Sequence, residues 1–243
     1  MPVRLLAFLS LVVLSGAGHA ASCSARSPAH TVALVELYTA HACTTCPPAD
    51  QWLQSLGAQG FGLDRVAPVS LHVDARDYGG GSPSQAREAH INRQRRMTRL
   101  ARAAMDYSPR VLLQGREFTG WGTPRFEDEV RRLASRPARA DLALRLADGR
   151  VRVEAALRPG SGVRDPVIYL SSVAKKTLKD ENRTLTEYIV LTWEGPFPAQ
   201  PMERPVTPLP ETETVDLGVA AFVQDRATGE VLQALILPPC PSP

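Results

Sequence analysis

The stretch HTVALVELYTAHACTTCPPADQWLQSLG, residues 30–57, changes its periodicity midway. From His30 to Tyr38 it is a mostly apolar run with β-branched residues, of strand length, which predicts a buried strand. Thr39 to Cys43 reads as a loop. Pro47 and Pro48 suit the first turn of a helix, and Asp50 suits its positive end. Ala49, Trp52, Leu53 and Leu56 then recur at helical spacing before a stop at Gly57. Cys43 and Cys46 therefore stand at a strand-to-helix junction.

Two cysteines three apart at a helix start have a specific chemical use. Cys43 lies before the first turn, where unpaired backbone N–H groups and the helix dipole favour a thiolate. Cys46 lies one turn further in, in reach of a mixed disulfide formed on Cys43. A protonated His41 would favour the thiolate and Asp50 would oppose it, while Thr44 and Thr45 offer hydroxyls to sulfur. Zinc sites use the same cysteine spacing, but a structural site commonly needs a second such pair, and the chain has none.

Outward from the junction, the pattern alternates. Val66 to Val73 is a second strand candidate, and Gly79, Gly80 and Gly81 mark a flexible loop. Pro83 to Met105 reads as a helix with sparse apolar positions at Ile91, Met97, Leu100, Ala101 and Met105. Arg110 to Leu113 is a third strand, turned by Gly115 towards Glu117 and Phe118, and Thr123 to Leu133 is a last helix. This order predicts an α/β fold with a mixed sheet flanked by helices. After about Ala140 the pattern becomes strand-like, with Asp148-Gly149 as a hairpin turn. Val167–Val173, Glu187–Trp193, Thr214–Val223 and Glu230–Leu237 are further strands, and Gly195 to Pro210 is a proline-rich connection. A small β-sandwich-like C-terminal module is expected there.

The order strand, C-x-x-C, crossover helix, strand-proline, hairpin and last helix resembles the thioredoxin superfamily over roughly residues 29–135. That resemblance implies that Pro109 is cis and faces the dithiol, and that Ser108-Pro109 is a substrate-docking edge. More closely, Val35-Glu36-Leu37-Tyr38, Cys43-Thr44-Thr45-Cys46-Pro47-Pro48-Ala49-Asp50, His72-Val73-Asp74, Asp77-Tyr78 and Asn182-Arg183-Thr184-Leu185-Thr186 resemble the domain of unknown function 1223 family of bacterial secreted proteins. The match departs from that family at Ala75 to Gly81, where it tends to carry tryptophans and this chain has Arg76 and three glycines. The resemblance implies a thioredoxin-like domain over residues 29–138 and a β-rich domain over 140–238, with no verified activity.

The N-terminus places the chain in a compartment. Arg4, the apolar run Leu5–Leu14 and the small residues up to Ala20-Ala21 read as a signal peptide over residues 1–20. The apolar run is shorter than the ~20 residues a membrane helix needs, and no later stretch comes close. An exported chain, periplasmic or secreted, with no transmembrane segment after cleavage is expected. Its net charge falls from +3 to +2 when Arg4 leaves, so no nucleic-acid partner is implied. The four cysteines, Cys23, Cys43, Cys46 and Cys240, all follow the signal, and export favours disulfides. Three pairings are open. The local one, Cys43 with Cys46, leaves Cys23 and Cys240 to join the chain ends or stay free.

Two further features have a bland and a sharp reading. The six arginines and one acid from Arg87 to Arg102 suit the solvated face of an amphipathic helix, or a surface for an acidic partner. His72 ends the second strand, as a structural hydrogen-bonder or a modulator of the dithiol. With Cys43, Cys46 and His41 it also suggests copper, which soft thiolates and imidazole suit. The leading expectation is a thiol-disulfide oxidoreductase of the cell envelope with Cys43 and Cys46 as its catalytic pair. Its partners would be protein or small-molecule thiols and disulfides plus a redox partner that recycles the pair, with no organic cofactor. The alternative is a secreted binding module in which Cys43–Cys46 is a structural disulfide.

Overall fold

The computed structural model describes residues 22–73, 84–180, 183–206 and 217–241. The signal segment 1–20 and its cleavage site, Asp74, the Asp77-Tyr78 pair, glycines 79–81 and Asn182 lie outside the described residues. The chain runs β1 (Cys23–Arg26), β2 (Ala33–Thr39), α1 (Pro47–Ser55), β3 (Val66–His72), α2 (Ser84–Ala101), β4 (Arg110–Leu113), β5 (Arg116–Glu117) and α3 (Pro124–Ala134). Strands follow: β6 (Ala140–Ala147), β7 (Arg150–Leu157), β8 (Pro166–Asp180), β9 (Arg183–Val190), β10 (Glu194–Pro198), β11 (Met202–Pro205), β12 (Leu217–Asp225) and β13 (Val231–Leu237). The fold is mixed α/β, mostly sheet with few helices.

Strand β2 is the spine. Successive strand residues point to opposite faces, and all of β2 is buried. Ala33, Val35 and Leu37 join Trp52 and Leu53 of α1 and Phe126 and Val130 of α3 in one core. Leu34 and Tyr38 join Met97 of α2 in another, with Ala67, Val69 and Leu71 from β3. Strand β3 pairs parallel to β2, and β4 pairs antiparallel on its other side.

The sheet does not stop there. Its order is β13-β12-β8-β9-β3-β2-β4-β5, with β10 beside β8, so strands of both halves share one curled sheet. A second sheet, β1-β6-β7-β11, covers one face of the C-terminal strands through a third core that includes Leu142, Leu144, Ile168, Val219 and Leu232. The β-rich half was expected as a separate module, because periodicity reports which face a strand buries and not which strand it pairs with. Two buried glutamines help hold the curl. Gln233 on β13 accepts from the Val32 N–H at 2.8 Å, and Gln114 accepts from the Leu34 N–H at 2.7 Å while donating to the Val231 carbonyl.

Several boundaries differ for local reasons. Strand β2 begins at Ala33 rather than His30, because the Val32 N–H goes to a side chain and His30 bridges Pro137. Helix α2 ends at Ala101, where Arg102 takes a left-handed φ of 53°. Met105, expected on that helix, lies beyond it and is 67% exposed. The proline-rich connection carries two short strands, β10 and β11, which pair with β8 and with β7, β11 forming the edge of its sheet. Among the described residues each pairs on one side only, and an unpaired side is where a missing N–H costs least.

Of the arginines read as a solvated face, Arg95, Arg99 and Arg102 are exposed, and Arg93 is the exception that corrects the reading. Arg93 is fully buried. Its Nε and Nη2 donate to the two oxygens of Glu36 at 2.9 and 3.0 Å, and its Nη1 donates to Gln224 at 2.7 Å. Tyr169, Trp193 and Phe222 box the guanidinium with their centroids 5.1–5.3 Å away. Helical spacing marks Arg93 as one more polar position; the aromatic box comes from β8, β12 and the connection between β9 and β10, all far along the chain.

Candidate functional site

Cys43 and Cys46 are bonded to each other, as are Cys23 and Cys240. Strand β2 ends at Thr39, opposite His72 at the end of β3. Tyr38 pairs with Arg110 at the start of β4, so Ser108-Pro109 continues past the same sheet edge from which the dithiol loop leaves. The Ser108–Pro109 peptide is cis. The segment is anchored from below. Fully buried Arg110 donates to Glu117 at 2.8 Å and to the Thr98 hydroxyl, while the Tyr107 hydroxyl donates to Glu117.

The two sulfurs have different surroundings. Cys43 is half-buried in an otherwise exposed turn with His41, Thr44 and Thr45, whereas Cys46 is 1% exposed. A bonded sulfur can only accept, so the contact of 3.5 Å between Thr45 Oγ1 and Cys43 Sγ is a hydroxyl donated to sulfur. Cys46 itself is the N-cap of α1. The expected supply of free helix N–H groups is not there: Pro47 and Pro48 have none, and the Ala49 and Asp50 N–H groups both donate to the Cys46 carbonyl, at 2.9 and 3.1 Å. What α1 offers the sulfurs is its dipole.

Behind the dithiol lies a polar cluster that sequence distance concealed. Asp50 is half-buried, and its Oδ1 has no hydrogen-bond partner among the described residues. Burial raises the Asp50 carboxyl, with Glu187 adding to the rise while the Thr39 hydroxyl and His72 oppose it. Glu187 of β9 reaches His72 at 3.8 Å and accepts from Gln54 of α1 at 3.0 Å. Burial works to raise the Glu187 carboxyl, but His72, Ser70 and Lys176 bring it below the usual range. In the sequence neither Glu187 nor His90 carries a signal for this cluster: Glu187 reads only as the start of a strand, and His90 as one polar position of a helix. Among the described residues no group of three His, Cys, Asp or Glu side chains stands together to hold a metal ion.

His90 of α2 donates from Nδ1 to the His72 carbonyl at 2.9 Å, since a carbonyl can only accept. Burial pushes its pKa down to about 4, His72 adding to the fall and the carbonyl bond resisting it. An unfolded chain holds this imidazole near its ordinary value of about 6.5. Protonation in the window between therefore favours unfolding. The His90 contribution is complete above about pH 6.5 and is lost by about pH 4, a change of roughly 3 kcal/mol. Urea unfolding near pH 7.5 and pH 4.5 should show His90→Gln losing less stability on acidification than the parent chain by about that amount. An equal loss in both would assign the acid sensitivity to other groups.

The site is thus a disulfide at a strand–helix junction of a mixed α/β protein, with Cys43 half-buried in an exposed turn and Cys46 buried. The chain belongs to the family described as "Protein of unknown function (DUF1223)", whose model matches residues 34–224. No curated protein is significantly similar to it. Among solved structures, a crystal structure of a protein from Agrobacterium tumefaciens is 22% identical, covering 85% of this chain and 94% of that one, with a TM-score of 0.58. HBP35 of Porphyromonas gingivalis is 14% identical, covering 86% of this chain and 76% of that one, with a TM-score of 0.60. These likenesses extend to the fold alone. The two disulfides, and the lack among the described residues of a helix long and apolar enough to cross a membrane, are compatible with export.

Proposed function

We propose that this chain is an exported thiol-disulfide exchange protein of the cell envelope, built on a thioredoxin-like fold and acting through Cys43 and Cys46. The observation that carries this reading is the unequal burial of the two cysteines: Cys43 half-buried in an exposed turn, Cys46 buried at the start of α1. Exchange needs one sulfur that a partner can reach and one that the partner cannot. A thiolate of the partner attacks Cys43 Sγ, the Cys43–Cys46 bond breaks, and Cys46 leaves as a thiolate. Asp50, one helical turn along from Cys46 and raised by burial, is the proton donor for that leaving sulfur. A second partner thiolate then attacks its own sulfur in the mixed disulfide and releases Cys43. The partner ends oxidised and this protein reduced; a recycling partner reverses the step. Ser108-Pro109, at the same sheet edge, is the docking ledge for the partner's backbone.

The test is a glutathione redox titration of the chain from residue 22 onward, with the Cys43–Cys46 state read by mass spectrometry. A reversible transition between about −270 and −120 mV, the span of known exchange proteins, is expected. Cys43→Ser should abolish disulfide exchange, and Cys46→Ser should accumulate a mixed disulfide on Cys43. A pair still oxidised below about −300 mV would make the bond structural and the protein a binding module.

A further inference from the structure

At the edge of the sheet opposite the dithiol, a cleft of about 400 Å³ opens between α3, the β4–β5 hairpin and the start of β13. Its size is that of a small-molecule site. Leu113, Phe118, Leu133 and Leu232 are buried and supply an apolar floor. The rim is charged. Of its acids, Glu129 is paired with Arg132 at 2.5 Å, Glu230 with Arg139 at 2.9 Å, and Glu117 is turned onto buried Arg110 at 2.8 Å. Arg116 and Arg136 are the two rim guanidiniums with no acid partner among the described residues. Every acid is matched, and two cations are left over.

That balance has a chemical meaning. An unmatched guanidinium presents planar paired donors suited to a carboxylate or phosphate. Two of them at the mouth of an apolar recess suit a ligand with an anionic head and an apolar body. We infer that the cleft binds a small organic anion, its carboxylate or phosphate held by Arg116 and Arg136 and its body resting on Phe118 and Leu133. The recess draws on both halves of the chain, α3 on one side and Glu230 to Leu232 on the other, a setting in which ligand sites often occur. It shares no residue with the dithiol, so it stands or falls independently of exchange activity.

Calorimetric titration with phenyl phosphate, benzoate and inorganic phosphate tests this. Phenyl phosphate or benzoate should bind saturably, one per chain, and the tighter of the two names the head group. Inorganic phosphate, which lacks the body, should bind at least about tenfold more weakly. Arg116→Gln with Arg136→Gln should weaken the organic anion by about tenfold or more. Both side chains are exposed, so the fold should survive, which circular dichroism checks. Arg131→Gln, on an exposed arginine outside the cleft that is already paired with Glu127, should change nothing. Cys43→Ser should bind as the parent does. The inference is overturned if neither organic anion binds, if inorganic phosphate binds as tightly, or if the double variant binds like the parent or no more weakly than Arg131→Gln.

Discussion

With Cys23 and Cys240 both replaced by serine, the chain is expected to lose about 5 kcal/mol of stability on the chain-entropy account of a crosslink. The bond joins residues 217 apart in sequence and brings their Cα atoms to 5.5 Å. In the unfolded chain it closes nearly the whole length into a loop, and loops of that size lose the most entropy. In the folded chain it ties β1, which pairs with β6 from Cys23 opposite Leu146 to Arg26 opposite Ala143, to the segment leaving β13. For a chain of this size the loss amounts to a fall in melting temperature of roughly 10–20 °C. Thermal unfolding without reductant measures it. A fall of only a degree or two would mean that the β1–β6 ladder holds the ends together without the bond.

Arg93→Ala is expected to cost about 3–5 kcal/mol, the range for removing one member of a buried ion pair. The loss is only partly that of Arg93 itself. Glu36 would remain in the core with its charge unmatched, since its other contact is a hydrogen bond from the Tyr38 hydroxyl at 3.1 Å. The aromatic box of Tyr169, Trp193 and Phe222 would be left with a hole where the guanidinium lay. Arg93→Lys should lose less, because the charge survives and the two-pronged bond does not. Glu36→Leu combined with Arg93→Met should recover much of the loss, since a buried pair exchanged whole for apolar side chains is often neutral. Urea unfolding of the three variants separates these terms. A cost below about 1 kcal/mol for Arg93→Ala would show that water reaches the Glu36 carboxylate.

Residues close in the chain made their arrangement legible. The run from Ala33 to Thr39, the prolines after Cys46 and the spacing of Trp52 and Leu53 are local signals, and they place the cysteines at a strand-to-helix junction without reference to anything else. Membership of the DUF1223 family was legible from short motifs spread from Val35 to Thr186. What α1 presents to the sulfurs was legible only in part: Pro47 and Pro48 have no N–H by identity, but that the Ala49 and Asp50 donors go to the Cys46 carbonyl depends on the fold.

The amino-acid order by itself determined the α/β alternation, the β-rich second half and the position of the dithiol, because period and turn chemistry act over a few residues. Only the tertiary structure decided the rest. It put Glu187 against His72 and Gln54, buried Arg93 among three aromatic rings, joined strands of both halves in one of two sheets and left Arg116 and Arg136 unmatched over an apolar floor. Each depends on groups far apart in the chain, and the free energy of a buried charge or an unmatched cation is set by what stands beside it in space.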